Sequence, residues 1–173
     1  MLLLLFILFS LALADTGTLI IASQSTITDA WKALIAHVYY TMMYSPNVEH
    51  QINLFDGTHR ILDWTSTLQR DTIIQGINQV VRNNTCNWSE LLSMPIESYG
   101  HYIFIFTDGN YCGPNPMEQY VGLESRYHRD VFPIAVGPNV NMLNIIAMAG
   151  ACPQPRGCVE GRDYLHLFLD SKK

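Results

Sequence analysis

The chain has 173 residues and a formal net charge of −5, with 14% charged residues. This length fits one domain with its own hydrophobic core. The acidic balance and the lack of a basic cluster argue against a nucleic-acid or membrane-surface partner, because Lys and Arg recognise both.

The first predicted element is an export signal. An apolar, uncharged run covers residues 2–14 and ends in Ala12-Leu13-Ala14, a small-x-small pattern that signal peptidase cuts. The run is too short to anchor the chain across a bilayer; the alternative interpretation is a buried core segment. We expect residues 1–14 to be a signal peptide. Residues 15–173 then form one secreted, extracellular domain without membrane insertion.

Strand and helix patterns alternate in the first half of this domain. Residues 18–22 form a short apolar run that predicts a buried parallel strand. Thr28-Asp29 predicts the start of a helix, and apolar residues then recur at helical spacing at Trp31, Leu34, Ile35, Val38 and Met42. The pair Asp56-Gly57 predicts a hairpin turn between strands at 51–55 and 58–64.

The second half continues the alternation. A helix is predicted to carry Ile73, Ile74, Ile77, Val80 and Val81 on one face. Strands are predicted at 102–107, 131–136 and 164–169, and a helix at 116–127. Asn139 or Asn141 is predicted to cap a helix that contains Leu143, Ile146 and Ala147.

This order of elements predicts a Rossmann-like α/β fold. Strands that alternate with helices form an open, mostly parallel central sheet with helices on both faces. The hairpin adds one antiparallel edge strand. Ligands of such sheets bind at the carboxyl ends of the strands, so the loops after Ala22, Arg82 and Thr107 are the first candidates for a site.

Four cysteines and two sequons fit an exported chain. An even cysteine number favours two disulfides, with three possible pairings among Cys86, Cys112, Cys152 and Cys158. No CxxC motif is present, which argues against a zinc or redox site. The sequons at Asn83 and Asn87 predict a glycoprotein.

Segments in four parts of the chain resemble von Willebrand factor type A domains. Residues 104–109 resemble the apolar strand that ends in Thr-Asp-Gly, and residues 131–137 resemble the strand that follows it. Residues 15–25 match the first strand and loop, with Ser23 and Ser25 on the serines of Asp-x-Ser-x-Ser. Residues 83–91 are similar to the Gly-Gly-Thr-x-x-Gly-x-x-Leu loop, with Thr85 on its threonine.

The resemblance implies a metal-ion-dependent adhesion site. Mg²⁺ prefers oxygen ligands, and the motif positions would supply them from Ser23, Ser25, Thr85 and Asp108. A carboxylate of the partner would complete the shell. Ile21 occupies the first acidic position of the motif, so one carboxylate remains instead of two. We therefore expect a degenerate, weaker cation site or a metal-free pocket of hydroxyls.

The resemblance also bears on the cysteines and on the end of the chain. It places the loops of Cys86 and Cys112 at one edge, which favours a Cys86–Cys112 bond; Cys152 and Cys158 flank the short turn at 153–157 and are then expected to pair with each other. The usual final helix of the family is missing before Lys173. We expect an exposed apolar surface there, covered by a homo-oligomer contact or by a partner.

Two binding hypotheses follow, and an enzyme is not expected. The first is an extracellular adhesion module that binds a protein or glycan partner at the Ser23, Ser25 and Asp108 edge. The alternative is a metal-independent protein–protein interaction domain that uses another face. No Gly-x-Ser-x-Gly elbow occurs, and no histidine is placed beside a serine; His101, for example, precedes a strand. Neither GxGxxG nor a P-loop is present, which argues against a nucleotide site.

Overall fold

A computed structural model describes residues 16–22, 29–80, 88–137 and 139–150. The five strands of this part are β1 Thr16–Ile21, β2 Gln51–Asp56, β3 His59–Ser66, β4 Tyr102–Thr107 and β5 Asp130–Ala135. The α-helices are α1 Asp29–Val38, α2 Arg70–Gln79, α3 Trp88–Leu91, α4 Met117–Tyr127 and α5 Met142–Gly150. A π-helical turn, Tyr39–Met43, extends α1, and a 3₁₀ turn, Ile96–Ser98, follows α3.

The strands form one sheet in the order β3-β2-β1-β4-β5. β1 pairs in parallel with β2 and with β4, β4 pairs in parallel with β5, and β3 is the antiparallel edge strand. The prediction of a mostly parallel sheet with one antiparallel edge strand is therefore confirmed. The carboxyl ends of the parallel strands share one side of the sheet, here called the carboxyl edge; the opposite side is the amino edge.

Helices cover both faces of the sheet. Alternate strand residues point to opposite faces, so Ile21 and Phe106 pack under α1 and α2, whereas Ile20 and Ile105 pack under α3, α4 and α5. Two buried faces explain why β1 and β4 are nearly continuous apolar runs. Among the residues described, no helix is long and apolar enough to cross a bilayer.

The hairpin turn lies one residue later than predicted. Gly57 and Thr58 form the turn, and Asp56 is the last residue of β2, opposite His59. Gly57 has a φ of +60°, which favours glycine, and glycine at the first central position is the pattern of a type II′ turn. The prediction that Asp56 belongs to the turn is therefore wrong, and its carboxyl group lies at the end of a buried strand.

Helix α5 contains Leu143, Ile146 and Ala147 as predicted, but they do not form its buried face. Ile145 is fully buried, whereas Leu143 is 80% exposed and Ile146 is 54% exposed. The helix has no charged residue, so its periodicity cannot show which apolar side faces the sheet. The predicted signal peptide at 1–14 and the predicted strand at 164–169 lie outside the described residues and stay predictions.

Candidate functional site

The candidate site begins at the carboxyl edge, where Asp108 directly follows β4. Its side chain is almost completely buried, with 2% exposed. The N–H of Ala22 donates to the carbonyl oxygen of Phe106 at 2.8 Å, so the chain leaves β1 beside the end of β4. Asp108 therefore lies next to the point at which residues 23–28 begin.

A tight turn holds Asp108 in place. Its Oδ1 accepts the N–H of Asn110 at 3.0 Å, and the hydroxyl oxygen of Thr107 accepts the N–H of Gly109 at 2.9 Å. Gly109 has a φ of +75°, and a Cβ there would lie 2.6 Å from the carbonyl oxygen of Asn141. Only glycine fits this position without strain.

The loop after β5 braces the same turn. The backbone oxygen of Asp108 accepts the N–H of Asn141 at 2.7 Å. The side-chain oxygen of Asn141 accepts the N–H of Asn144 at 3.3 Å, so Asn141 caps α5, one of the two alternatives that the sequence left open. The side chain of Asn110 donates to the carbonyl oxygen of Asn139 at 3.0 Å. Two loops thus form one hydrogen-bonded unit around Asp108.

The structure describes two of the predicted site positions. Asp108 lies at the carboxyl edge, and Ile21 is a core residue of β1 with 2% exposed, so an apolar side chain fills the position where the motif has an acid. The other predicted ligands lie outside the described residues: Ser23, Ser25 and Thr85. Their approach to Asp108 stays a prediction.

Most of the predicted disulfide and glycosylation sites also lie outside the described residues. Cys112 takes part in a disulfide bond, and its pairing with Cys86 stays a prediction because the other three cysteines lie outside the described residues. The predicted bond Cys152–Cys158 and the predicted glycosylation sites Asn83 and Asn87 also lie outside them.

The sequence analysis missed a second buried carboxylate at this edge. Asp56 is 1% exposed and pairs with Ile21 in the register of β1 with β2. The signal was available in the alternation of β2, because Ile52 and Leu54 are buried on one face and Asp56 follows two residues later. The strong hairpin pattern at Asp56-Gly57 obscured it.

The donor chemistry of this edge fits a hard cation. Asp56 and Asp108 supply carboxylate oxygens, which suit Mg²⁺ or Mn²⁺ better than metals that prefer sulfur or imidazole. Both residues have interaction partners. No cluster of three or more His, Cys, Asp or Glu side chains that could hold a metal occurs within the described ranges. A complete cation shell would therefore need oxygens from residues outside them.

A polar pair lies at the opposite end of the sheet. His101 Nε2 is 3.7 Å from Asp130 Oδ2, and both side chains are partly exposed. His101 directly precedes β4 and therefore lies at the amino edge. Its position before a predicted strand in the sequence indicated the same place. This pair is far from Asp108 and supplies a control position for experiments on the carboxyl edge.

Comparisons with known proteins bear on the fold. No protein-family model matches the sequence, and no curated protein matches it either. A crystal structure of the manganese-loaded TRAP protein of Plasmodium vivax is similar, with a TM-score of 0.57 and 15% identity. The match covers 83% of this chain and 65% of that chain, slightly less than two thirds of its length.

A second similar structure is an aerotolerance-related membrane protein of Bacteroides fragilis NCTC 9343 with multiple mutations to serines. Its TM-score is 0.56 at 12% identity, and the match covers 86% of this chain and 96% of that chain. Both proteins have the von Willebrand factor type A fold. Together with the strand order and the antiparallel edge strand, they show that this chain has a von Willebrand factor type A-like α/β fold.

Proposed function

We propose that this chain is a secreted extracellular binding module that recognises a protein or glycan partner at the carboxyl edge, without catalysis. A fold of this type suggests an adhesion or protein-binding module. The observation that carries the proposal is the position of Asp108, a buried carboxylate in a hydrogen-bonded turn at the carboxyl ends of the strands.

The energetic cost of this arrangement supports a functional role. A carboxylate that leaves water loses solvation free energy, which fixed hydrogen bonds and nearby charges only partly restore. Apolar packing at the end of β4 would avoid this cost. The turn also fixes the Asp108 oxygens before any ligand arrives, which reduces the entropy lost on binding.

A weak divalent-cation site is the chemical form that we propose for this edge. Asp108 would be a direct ligand, and Ser23, Ser25 and Thr85 would add hydroxyl oxygens. When bound, Mg²⁺ would supply a positive centre for a carboxylate of the partner. Ile21 stands where the motif has an acidic residue, so the proposed site has one motif carboxylate instead of two. We therefore expect it to bind the cation more weakly than a site with both carboxylates.

The test compares Asp108→Asn with Asp130→Asn, which changes a partly exposed carboxylate at the amino edge. Purified wild type and both variants are applied to arrays of extracellular proteins and of glycans. We expect wild type and Asp130→Asn to bind the same targets, and Asp108→Asn to lose about tenfold or more in affinity. Equal binding by Asp108→Asn, with circular dichroism showing a folded variant, would overturn the proposal.

A second candidate function rests on the outer face of α5. Leu143 and Ile146 are large, exposed and three residues apart on this helix, so they form one apolar patch. This favours a metal-independent protein contact or a homo-oligomer. Partner binding measured with and without EDTA distinguishes the two candidate functions, because the chelator would weaken binding at the carboxyl edge but not at α5. Leu143→Ser would weaken only the second kind of contact.

The absence of catalysis is part of the proposal and has its own support. A nucleophile needs a base within hydrogen-bond reach. The sequence has no Gly-x-Ser-x-Gly elbow, and the side chain of His101 faces Asp130 at the amino edge, away from the carboxyl edge. A serine-reactive fluorophosphonate probe should leave the protein unlabelled. Stoichiometric labelling of Ser23 or Ser25 would show an activated nucleophile and contradict this part.

A further inference from the structure

Asp56 is a buried acidic residue next to residue 21, the position at which the motif has an acid and this chain has isoleucine. It ends β2, directly beside Ile21 in the parallel register of β1 and β2. Neighbouring strands are about 4.8 Å apart, so the Asp56 backbone is one strand away from the position where the motif acid would be. The inference that follows deepens the proposed cation site and rests on it.

The two positions also share a face of the sheet. Paired residues of parallel strands point the same way, and Ile21 belongs to the core under α1 and α2, together with Ile52 and Leu54 of β2. Asp56 continues the alternation of Ile52 and Leu54. Its carboxyl group is therefore at the same edge and on the same face as the side chain of residue 21.

Asp108 occupies the other side of β1. β4 pairs with β1 so that Phe106 is opposite Ile21, and Asp108 follows Phe106 by two residues, directly after the end of β4. Asp56 and Asp108 thus flank the end of β1 from two neighbouring strands. Both residues are buried, with 1% of Asp56 and 2% of Asp108 exposed.

We infer that Asp56 replaces the missing motif acid as the second carboxylate of the cation site. Because it is one strand farther from Asp108 than residue 21, it would act through a metal-bound water and not as a direct ligand. Mg²⁺ and Mn²⁺ keep several waters in protein sites, and carboxylates that orient such waters strengthen cation binding. Asp56 is therefore a positioning residue, and Asp108 is the direct ligand.

The experiment titrates the full mature chain with Mn²⁺ and follows free Mn²⁺ by electron paramagnetic resonance. Four proteins are compared: wild type, Asp108→Asn, Asp56→Asn and the amino-edge control Asp130→Asn. Loss of an outer carboxylate weakens metal affinity by about 10–100-fold, which is the result expected for Asp56→Asn. We expect Asp108→Asn to abolish binding and Asp130→Asn to match wild type.

The outcomes separate this inference from the proposed function. If Asp56→Asn binds Mn²⁺ like wild type while Asp108→Asn does not, Asp56 is only structural and the inference is overturned, whereas the proposed site remains. If wild type binds no Mn²⁺, the inference also fails, and partner binding at Asp108 is then tested without metal. Unfolding temperatures measured in EDTA show whether Asp56→Asn changes the stability of the protein in the absence of the cation.

A measurement on unaltered protein covers the case in which Asp56→Asn does not fold. Crystals of wild type grown with MnCl₂ would show an anomalous peak at the carboxyl edge. A water-bridged carboxylate oxygen lies about 4 Å from the metal. We expect this distance for Asp56 and direct coordination for Asp108. A peak that coordinates Asp108 but lies too far from the Asp56 carboxylate for one bridging water would overturn the inference.

Discussion

The side-chain amide of Asn144 donates a hydrogen bond to the carbonyl oxygen of Gly109 at 2.7 Å. This bond joins the first turn of α5 to the turn that holds Asp108. The backbone bond from Asn141 to Asp108 is a second link between the same two elements. These two bonds fix the position of the Asp108 turn relative to the start of α5.

The first prediction concerns the hydrogen bond from Asn144 to Gly109. Asn144→Ala deletes the donor to Gly109, so we expect the free energy of unfolding to fall by about 1 kcal/mol. The larger effect should be local, because the Asp108 turn loses one of its braces. Hydrogen exchange of the Asn110 amide, which donates to Asp108, should accelerate more than exchange in β1. Uniform acceleration over the whole chain would argue against a local role.

The second prediction concerns two glycines. Gly109→Ala places a Cβ close to the Asn141 carbonyl at a positive φ, so we expect a loss of about 1–3 kcal/mol of stability. Gly122 is the matched control, because a Cβ there has nothing within 4 Å and the residue lies inside α4. Gly122→Ala should stabilise by about 0.5–1 kcal/mol. Urea denaturation measures both, and equal effects of the two substitutions would contradict the geometry of the turn.

The third prediction compares neighbouring isoleucines of α5. Ile145 faces the sheet, whereas Ile146 faces solvent for about half of its surface. Ile145→Ala should cost about 2–5 kcal/mol because it leaves a cavity. Ile146→Ala should change stability by less than about 1 kcal/mol. The opposite order in chemical denaturation would mean that α5 packs through its other side.

The fourth prediction is a pH dependence. Tyr39 is fully buried, and its hydroxyl donates to the carbonyl oxygen of Thr67 at 2.5 Å. Burial, and then the neighbouring Tyr40, raises the pKa of Tyr39 to about 12. The neutral phenol is thus favoured in the folded state. Its stabilising contribution is complete below the ordinary pKa of about 10 and is lost as pH rises through 12.

Measured between pH 9 and 12.5, the free energy of unfolding should fall by about 2–3 kcal/mol through Tyr39. Burial also raises the pKa of Tyr99, so wild type must be compared with Tyr39→Phe. The variant should lose about 1 kcal/mol at pH 7 with its hydrogen bond, and its stability should fall less steeply above pH 10. Parallel curves for the two proteins would rule out Tyr39 as a source of the pH dependence.

Pattern and register explain which parts of the fold the sequence predicts. The apolar runs at β1 and β4 are buried on both faces, so they are recognisable without any tertiary information. The spacing of Ile73 and Ile77 predicted α2 for a similar reason, since one face of that helix is buried. Apart from Asn144, helix α5 consists of apolar residues and glycine, so only its packing against the sheet reveals that Ile145 is inside.

The site was only partly predictable for a different reason. Asp108 could be located because it follows a recognisable strand, and Ile21 because it falls inside one. Asp56 was assigned to a turn, since Asp-Gly is a strong hairpin signal. Its position at the carboxyl edge follows from its parallel pairing with Ile21, which brings together residues 35 positions apart. Such long-range pairing is not encoded in any local pattern.

A crystal structure of the protein grown with Mg²⁺ would show directly which oxygen atoms meet at the carboxyl edge. We expect the hydroxyl oxygens of Ser23 and Ser25 to lie within about 5 Å of the Asp108 carboxylate, close enough to share one cation with ligand distances of about 2.1 Å. A structure that places Ser25 and Asp108 at opposite ends of the molecule would contradict the proposed cation site.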